Sequence, residues 1–146
     1  NTLRLRALMD SLGWPGPDDV GQEGMEGAFL LIQHATDPDF QRRVLPQVEA
    51  DVRAGRLDPQ DYALLVDRTR QREGLRQLYG TQISMRPGES QATLDPIEDS
   101  ADVDARRSAL GLPSLSTYLD LIERETGFDV VGHPPEPDSG SGGGGR

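Results

Sequence analysis

Glycines and Asp-Pro pairs cut this chain into short segments, and that punctuation limits the fold more than any other feature. Gly13, Gly55, Gly74, Gly111 and Gly127 each follow a stretch with helical apolar spacing. A glycine in that place ends a helix, because it enters the left-handed conformation that other residues resist. Asp37-Pro38 and Asp58-Pro59 each precede such a stretch. Asp caps the free N–H groups of a first turn, and Pro suits the first helical position. A chain punctuated this way folds as several short helices packed on one another.

Read in order, Thr2 to Leu12 is a first helix, with Leu3, Leu5, Leu8, Met9 and Leu12 as its apolar face. Gly13-Trp14-Pro15-Gly16-Pro17 is a rigid turn. Asp19, with Gln22 at capping-box spacing, predicts a second helix from Val20 to about Ala35. Gly21, Gly24 and Gly27 step along it. Each interior glycine costs about 1 kcal/mol relative to Ala, so the spacing predicts close approach of a neighbouring helix, or of a ligand. A third helix follows Asp37, with Phe40, Val44, Leu45, Val48 and Val52 inward and Pro46 expected to kink or split it. A fourth runs from Asp58 to Glu73, with Tyr62, Leu65, Val66 and Thr69 on one side.

Residues 75–99 are the least helical. Gln82–Met85 and Gln91–Leu94 read as a short hairpin across Arg86–Ser90, with an irregular excursion as the alternative. Ser100 is expected to cap a short helix reaching Leu110, and Ser114 a last helix with Leu115, Tyr118, Leu119 and Ile122 inward. The expected class is mainly α: one compact helical domain of about six helices over residues 1–127, with the excursion near 80–95. Residues 128–146, Pro-rich and then Gly/Ser-rich, read as a flexible tail.

Composition narrows the function classes. With 146 residues and 34% hydrophobic residues, the chain supports one modest core. Its net charge is −10 and no basic stripe interrupts the acids, so neither nucleic acid nor an anionic membrane surface is an expected partner. All 15 basic residues are Arg, which removes Schiff-base and P-loop lysine chemistry. Cysteine is absent, and with it thiolate nucleophiles and disulfides. No apolar run approaches a membrane span, no signal peptide is visible, and no cofactor motif is present. A cytoplasmic location is expected. The chain begins at Asn1, compatible with trimming of an N-terminal piece.

His34 is the natural proton carrier, since the only other histidine, His133, lies in the tail. As general acid or base its ring would be oriented by a carboxylate where one is within reach, with Asp37, Asp39, Asp67 and Asp99 as candidates. The plain alternative is a helix-end histidine bonded to a backbone carbonyl. A metal reading of His34, Asp37 and Asp39 lacks a second histidine in the folded part. Tyr79-Gly80-Thr81-Gln82 is a second polar cluster, either a substrate loop or a turn pinned to the core. Asp67-Arg68 and Arg106-Arg107 read as salt-bridging pairs, or as one Arg turned inward as a fork for an anion.

In their order along the chain, these motifs resemble a bacterial family of small domains of unknown function. The matching residues are Gly13-Trp14-Pro15, Val20-Gly21, Gln33-His34-Ala35 with Asp37-Pro38 and Phe40-Gln41, Leu45-Pro46, Asp67-Arg68, Gly74 with Gln77, Tyr79–Gln82, Pro96–Asp99, Val103-Asp104 with Arg106-Arg107, and Gly111-Leu112-Pro113 with Tyr118-Leu119. The resemblance implies that these clusters belong together, and it names no reaction. Three functions follow as expectations. In the first, a cofactor-independent hydrolase or lyase uses His34 as acid-base. Gln33, Tyr79, Thr81, Gln82, Arg106 and Arg107 bind its substrate, with Asp67, Arg68 and Asp99 in support. The second is a module that binds a peptide or small metabolite without turnover. The third is a structural protein whose polar cluster is a satisfied buried network.

Overall fold

The computed structural model describes residues 3, 7, 9–11 and 13–132 (for Pro17, the backbone only). The other residues expected in the first helix, and the tail from His133 onward, lie outside the described residues. Among the described residues 60% are helical and 9% lie in strands, so the mainly-α expectation holds. Met9–Ser11 are helical, Met9 is buried, and the Gly13 N–H donates to the Met9 carbonyl at 2.8 Å.

Three helices follow: α1 (Pro17–His34), α2 (Pro38–Arg53) and α3 (Pro59–Arg72). α1 begins earlier than the Asp19 cap implies. Gly16 holds the N-cap position, and Asp19 instead accepts the Gly16 N–H on Oδ2 at 3.0 Å. The helix then breaks at Gly21 (φ 70°, ψ 176°), a conformation essentially reserved for glycine. A Cβ on Gly24 would sit 2.6 Å from the Val20 Cβ, whereas one on Gly27 would meet nothing within 4 Å. Gly21 and Gly24 therefore accommodate a break within α1, and among the described residues no neighbouring helix approaches Gly27 closely.

α2 is capped by Asp37, which accepts from the N–H groups of Asp39 and Phe40. It runs through Pro46 without the expected split, since Val44, Val48 and Val52 are buried on either side of an exposed proline. Asp58 caps α3 through the Gln60 N–H at 2.8 Å, and α3 packs on α2. Trp14 fastens the preceding turn to α2: its Nε1 donates to Asp51 Oδ2 at 2.5 Å, and Arg56 holds the other oxygen at 2.9 Å.

The expected hairpin forms from β1 (Ile83–Ser84) and β2 (Gln91–Leu94), antiparallel, with Ile83 opposite Leu94. Ser100 does not cap a helix; it opens a 3₁₀ turn (Ser100–Asp102) that leads into α4 (Val103–Ala109). α5 (Leu115–Thr126) is capped by Ser114 and ends at Gly127 in the left-handed conformation. A third strand, β3 (Asp129–Val131), then pairs parallel with β2, Val130 opposite Ala92. It falls within the stretch that composition assigns to the tail.

The apolar residues form two clusters. The first joins α1, α2 and α3 through Met25, Phe29, Ile32, Phe40, Val48 and Leu65, with Tyr79 and Leu112 added. The second lies under the sheet and comprises Ala92, Leu94, Ile97, Val103, Leu115, Leu119 and Val130. The loop Gln77–Gln82 runs along the seam. The Tyr79 ring enters the first cluster, while Gly80 (φ 75°) lies so near the second that a Cβ would meet Leu115 Cδ1 at 2.6 Å.

Candidate functional site

Four donors converge on one buried carboxylate at that seam. Asp67 sits on α3 with 0% exposure. Its Oδ1 accepts from the N–H groups of Leu78 (2.8 Å) and Tyr79 (3.0 Å). Its Oδ2 accepts from the Thr81 N–H (3.0 Å) and the Thr81 hydroxyl (2.7 Å). A buried carboxylate is tolerable only when its lone pairs are filled in this way. The loop in turn is irregular because its N–H groups serve Asp67 instead of a helix or sheet.

Two consecutive arginines hold the other side of the same loop. Arg106 Nε donates to the Leu78 carbonyl at 2.9 Å, and its two terminal nitrogens donate to the carbonyls of Glu98 (2.5 Å) and Asp99 (3.2 Å). Arg107, 0% exposed, donates from Nη1 to the Tyr79 carbonyl (2.6 Å) and from Nε to the Pro113 carbonyl (2.7 Å). Its guanidinium carbon lies 4.8 Å from the centroid of the Tyr118 ring. Burial lowers the Arg107 pKa from its ordinary value, against the opposing pull of Tyr118, Asp104 and Asp67. Both arginines thus bond main-chain carbonyls.

Gln77 completes the clamp. Its buried amide accepts the Gln82 N–H at 2.8 Å and donates to the carbonyls of Gln82 (3.0 Å) and Asp95 (2.8 Å). The Asp95 carboxylate accepts from Gln71 and Ser84 at 2.7 Å each. Tyr79 and Tyr62 meet edge to face at 6.3 Å. Burial, reinforced by the Glu49 charge, raises both hydroxyls above the usual tyrosine range.

His34 stands in a different setting. It is exposed at the end of α1 and lines a cleft of about 110 Å³ with Leu3, Met9, Leu31, Ala35, Thr36 and Phe40. None of the clamp residues lines this cleft. Neither the Tyr79–Gln82 loop nor Asp37, Asp39, Asp67 or Asp99 hydrogen-bonds the ring. Gln41 closes the helix beneath His34, its Nε2 donating to the carbonyls of Ile32 (2.8 Å) and Ala35 (3.2 Å).

The structure thus brings together Asp67, Tyr79, Thr81, Gln82, Arg106, Arg107 and the Asp99 carbonyl, and places His34 at the cleft. Gln33 is half-buried on α1, and Arg68 is exposed on α3. Sequence reasoning named Gln41 and Gln77 only among the residues of the resemblance and gave them no role, and it passed over the apolar cleft wall. Among the described residues no group of three or more His, Asp or Glu side chains could hold a metal ion. No described helix is long and apolar enough to cross a membrane.

The chain belongs to a family of unknown function, DUF6624, whose profile matches residues 1–131. No curated protein and no solved structure matches it.

Proposed function

We propose that this member of the family is a non-catalytic binding module whose site is the His34 cleft. The observation that carries this reading is the division of labour among the polar motifs. Asp67, Gln77, Arg106 and Arg107 each bond main chain, and of their buried polar atoms only Arg107 Nη2 is left without a partner, so the cluster serves chiefly to hold shape. His34 holds nothing described, and it rims an apolar recess. Among the described residues no group bonds the His34 ring to orient it for acid–base work, so the weight falls on the apolar recess beside it. An apolar recess with a few polar groups at its rim is the ordinary form of a ligand site.

Amide NMR spectra recorded while small apolar molecules and short peptides are added test the proposal. Saturable shifts confined to Leu31, His34, Thr36 and Phe40, and lost in His34→Ala, support it. Shifts centred on Tyr79–Gln82, or a chemical change in a bound compound that disappears in His34→Ala, overturn it.

A further inference from the structure

Arg72, on the last turn of α3, brings a cation to the wall of the His34 cleft. Its Nη1 reaches the carbonyl of Ala35, a lining residue, at 3.5 Å, a long contact that commits little of the guanidinium. Its Nε and Nη2 donate to no described residue. Those two nitrogens form one edge of the fork, and two parallel N–H donors match a carboxylate. The described acids beside the cleft do not fill this edge, because each is answered elsewhere. Asp37 accepts from the N–H groups of Asp39 and Phe40, Arg42 pairs with Asp39 and Glu73, and Arg43 lies 3.5 Å from Asp10. The cleft also lies at the C-terminal end of α1, where the helix dipole is negative. There Gln41 bonds the Ile32 and Ala35 carbonyls, and Arg72 reaches the second of them, which tempers the repulsion of an anion.

The recess sets the size of the other end of the ligand. At about 110 Å³ it falls well short of the roughly 300–1,000 Å³ of pockets that enclose whole metabolites. It approaches the roughly 150 Å³ of an apolar cavity that takes benzene. One ring or one branched aliphatic group fills it. A neutral apolar molecule leaves the Arg72 edge unused, and a cation is repelled by it. A phosphate monoester brings a second negative charge that one arginine does not answer. We infer that the His34 cleft takes an apolar group bearing one carboxylate, the apolar end in the recess and the carboxylate on the open edge of Arg72. This rests on the reading of the cleft as a binding site.

The test titrates the full chain with benzoate, hexanoate, benzyl alcohol, benzylamine and phenyl phosphate, followed by amide NMR. At least one of the two carboxylates is expected to bind about fivefold or more tighter than benzyl alcohol, the effect of one charge-assisted contact at an exposed site. That preference is expected to shrink as salt rises from about 0.05 to about 0.5 M. It is expected to vanish in Arg72→Gln and to survive in Arg68→Gln, which removes the same charge one turn back on α3. Acetyl-Ala-Ala-Leu, compared as acid and as amide, separates the two sources of such a carboxylate. A preference for the peptide acid that exceeds the benzoate preference assigns a protein C-terminus, and a smaller one assigns a free small acid. Benzyl alcohol, benzylamine or phenyl phosphate binding as tightly as both carboxylates overturns the inference. So does a carboxylate preference that Arg72→Gln leaves intact, or that Arg68→Gln removes equally. If benzyl alcohol shifts Leu31, His34 and Phe40 without any carboxylate preference, the inference falls and the binding site stands. If no compound shifts them, both fall.

Discussion

Asp67 and Arg107 hold opposite ends of one residue. The carboxylate accepts the Tyr79 N–H at 3.0 Å and the guanidinium donates to the Tyr79 carbonyl at 2.6 Å. Opposite charges on two helices are thereby joined through a stretch of main chain instead of touching. Each partner is desolvated and each is answered by a dipole, which fixes the loop's position along the seam more tightly than a direct ion pair on the surface would.

Asp67→Ala is expected to lose about 3–5 kcal/mol, because two buried N–H groups, a half-buried one and a hydroxyl lose their acceptor together. Asp67→Asn, which turns two donors toward donors, is expected to lose about 2–3 kcal/mol. Urea unfolding reads both as lower midpoints with an unchanged slope. A loss below about 0.5 kcal/mol, the level of an ordinary surface change, contradicts the clamp.

Arg107→Met is expected to cost less, about 1–2 kcal/mol. It strands the carbonyls of Tyr79 and Pro113 but also removes a buried charge that forms no ion pair with a described carboxylate. The same unfolding measurement ranks the two sites, and a larger loss at Arg107 than at Asp67 reverses the assignment of weight.

These sites show what the sequence made readable. Asp37, Asp58 and Ser114 cap where their types predict, and the hairpin of β1 and β2 pairs as read, since local chemistry decides both. Read from sequence, Tyr79–Gln82 and Arg106-Arg107 group around His34 with Asp67 in support; the structure gathers Asp67 and both arginines on the loop and leaves His34 apart at the cleft. That division was not readable, because an Arg that bonds carbonyls and one that waits for an anion look alike in one dimension. β3 escaped notice because three residues carry no period and their partner strand lies far back in the chain. The break at Gly21 was hidden because glycine spacing does not distinguish a kink from a packing groove.

Gly80→Ala is expected to cost about 2–3 kcal/mol. The added methyl meets Leu115 in a left-handed backbone conformation, combining overpacking with strain. Gly27→Ala, which meets nothing within 4 Å, is expected to be neutral or stabilising by up to about 1 kcal/mol. Thermal melts of the pair give the comparison, and equal shifts contradict it.

Alkaline pH is expected to weaken the fold. The hydroxyls of Tyr62, Tyr79 and Tyr118 titrate above the ordinary value of 10.0, chiefly through burial. Their contribution is whole below pH 10, where the unfolded chain also keeps its tyrosines neutral. It is lost as pH rises toward the folded values, because the unfolded state sheds those protons first. Unfolding midpoints measured from neutral pH upward past 10 are expected to fall, and to fall less steeply in Tyr62→Phe. A flat profile contradicts the burial of these groups.

Glu123 accepts the Val130 N–H at 2.8 Å, so a carboxylate occupies a donor on β3, one of the two edge strands. Glu123→Ala is expected to cost under about 1 kcal/mol while raising self-association, read by light scattering. Unchanged scattering removes that protective role.

The parallel pairing of β3 with β2 also sets a birth order. A ribosome releases α1, α2, α3 and the clamped loop first, and Leu112 completes the helical core. Ala92 and Leu94 then wait, apolar and half-covered, until Val130 has emerged. During synthesis the nascent sheet side is the exposed and sticky half of the protein. A chain released before its last strand carries a finished helical half and an open wound beside it.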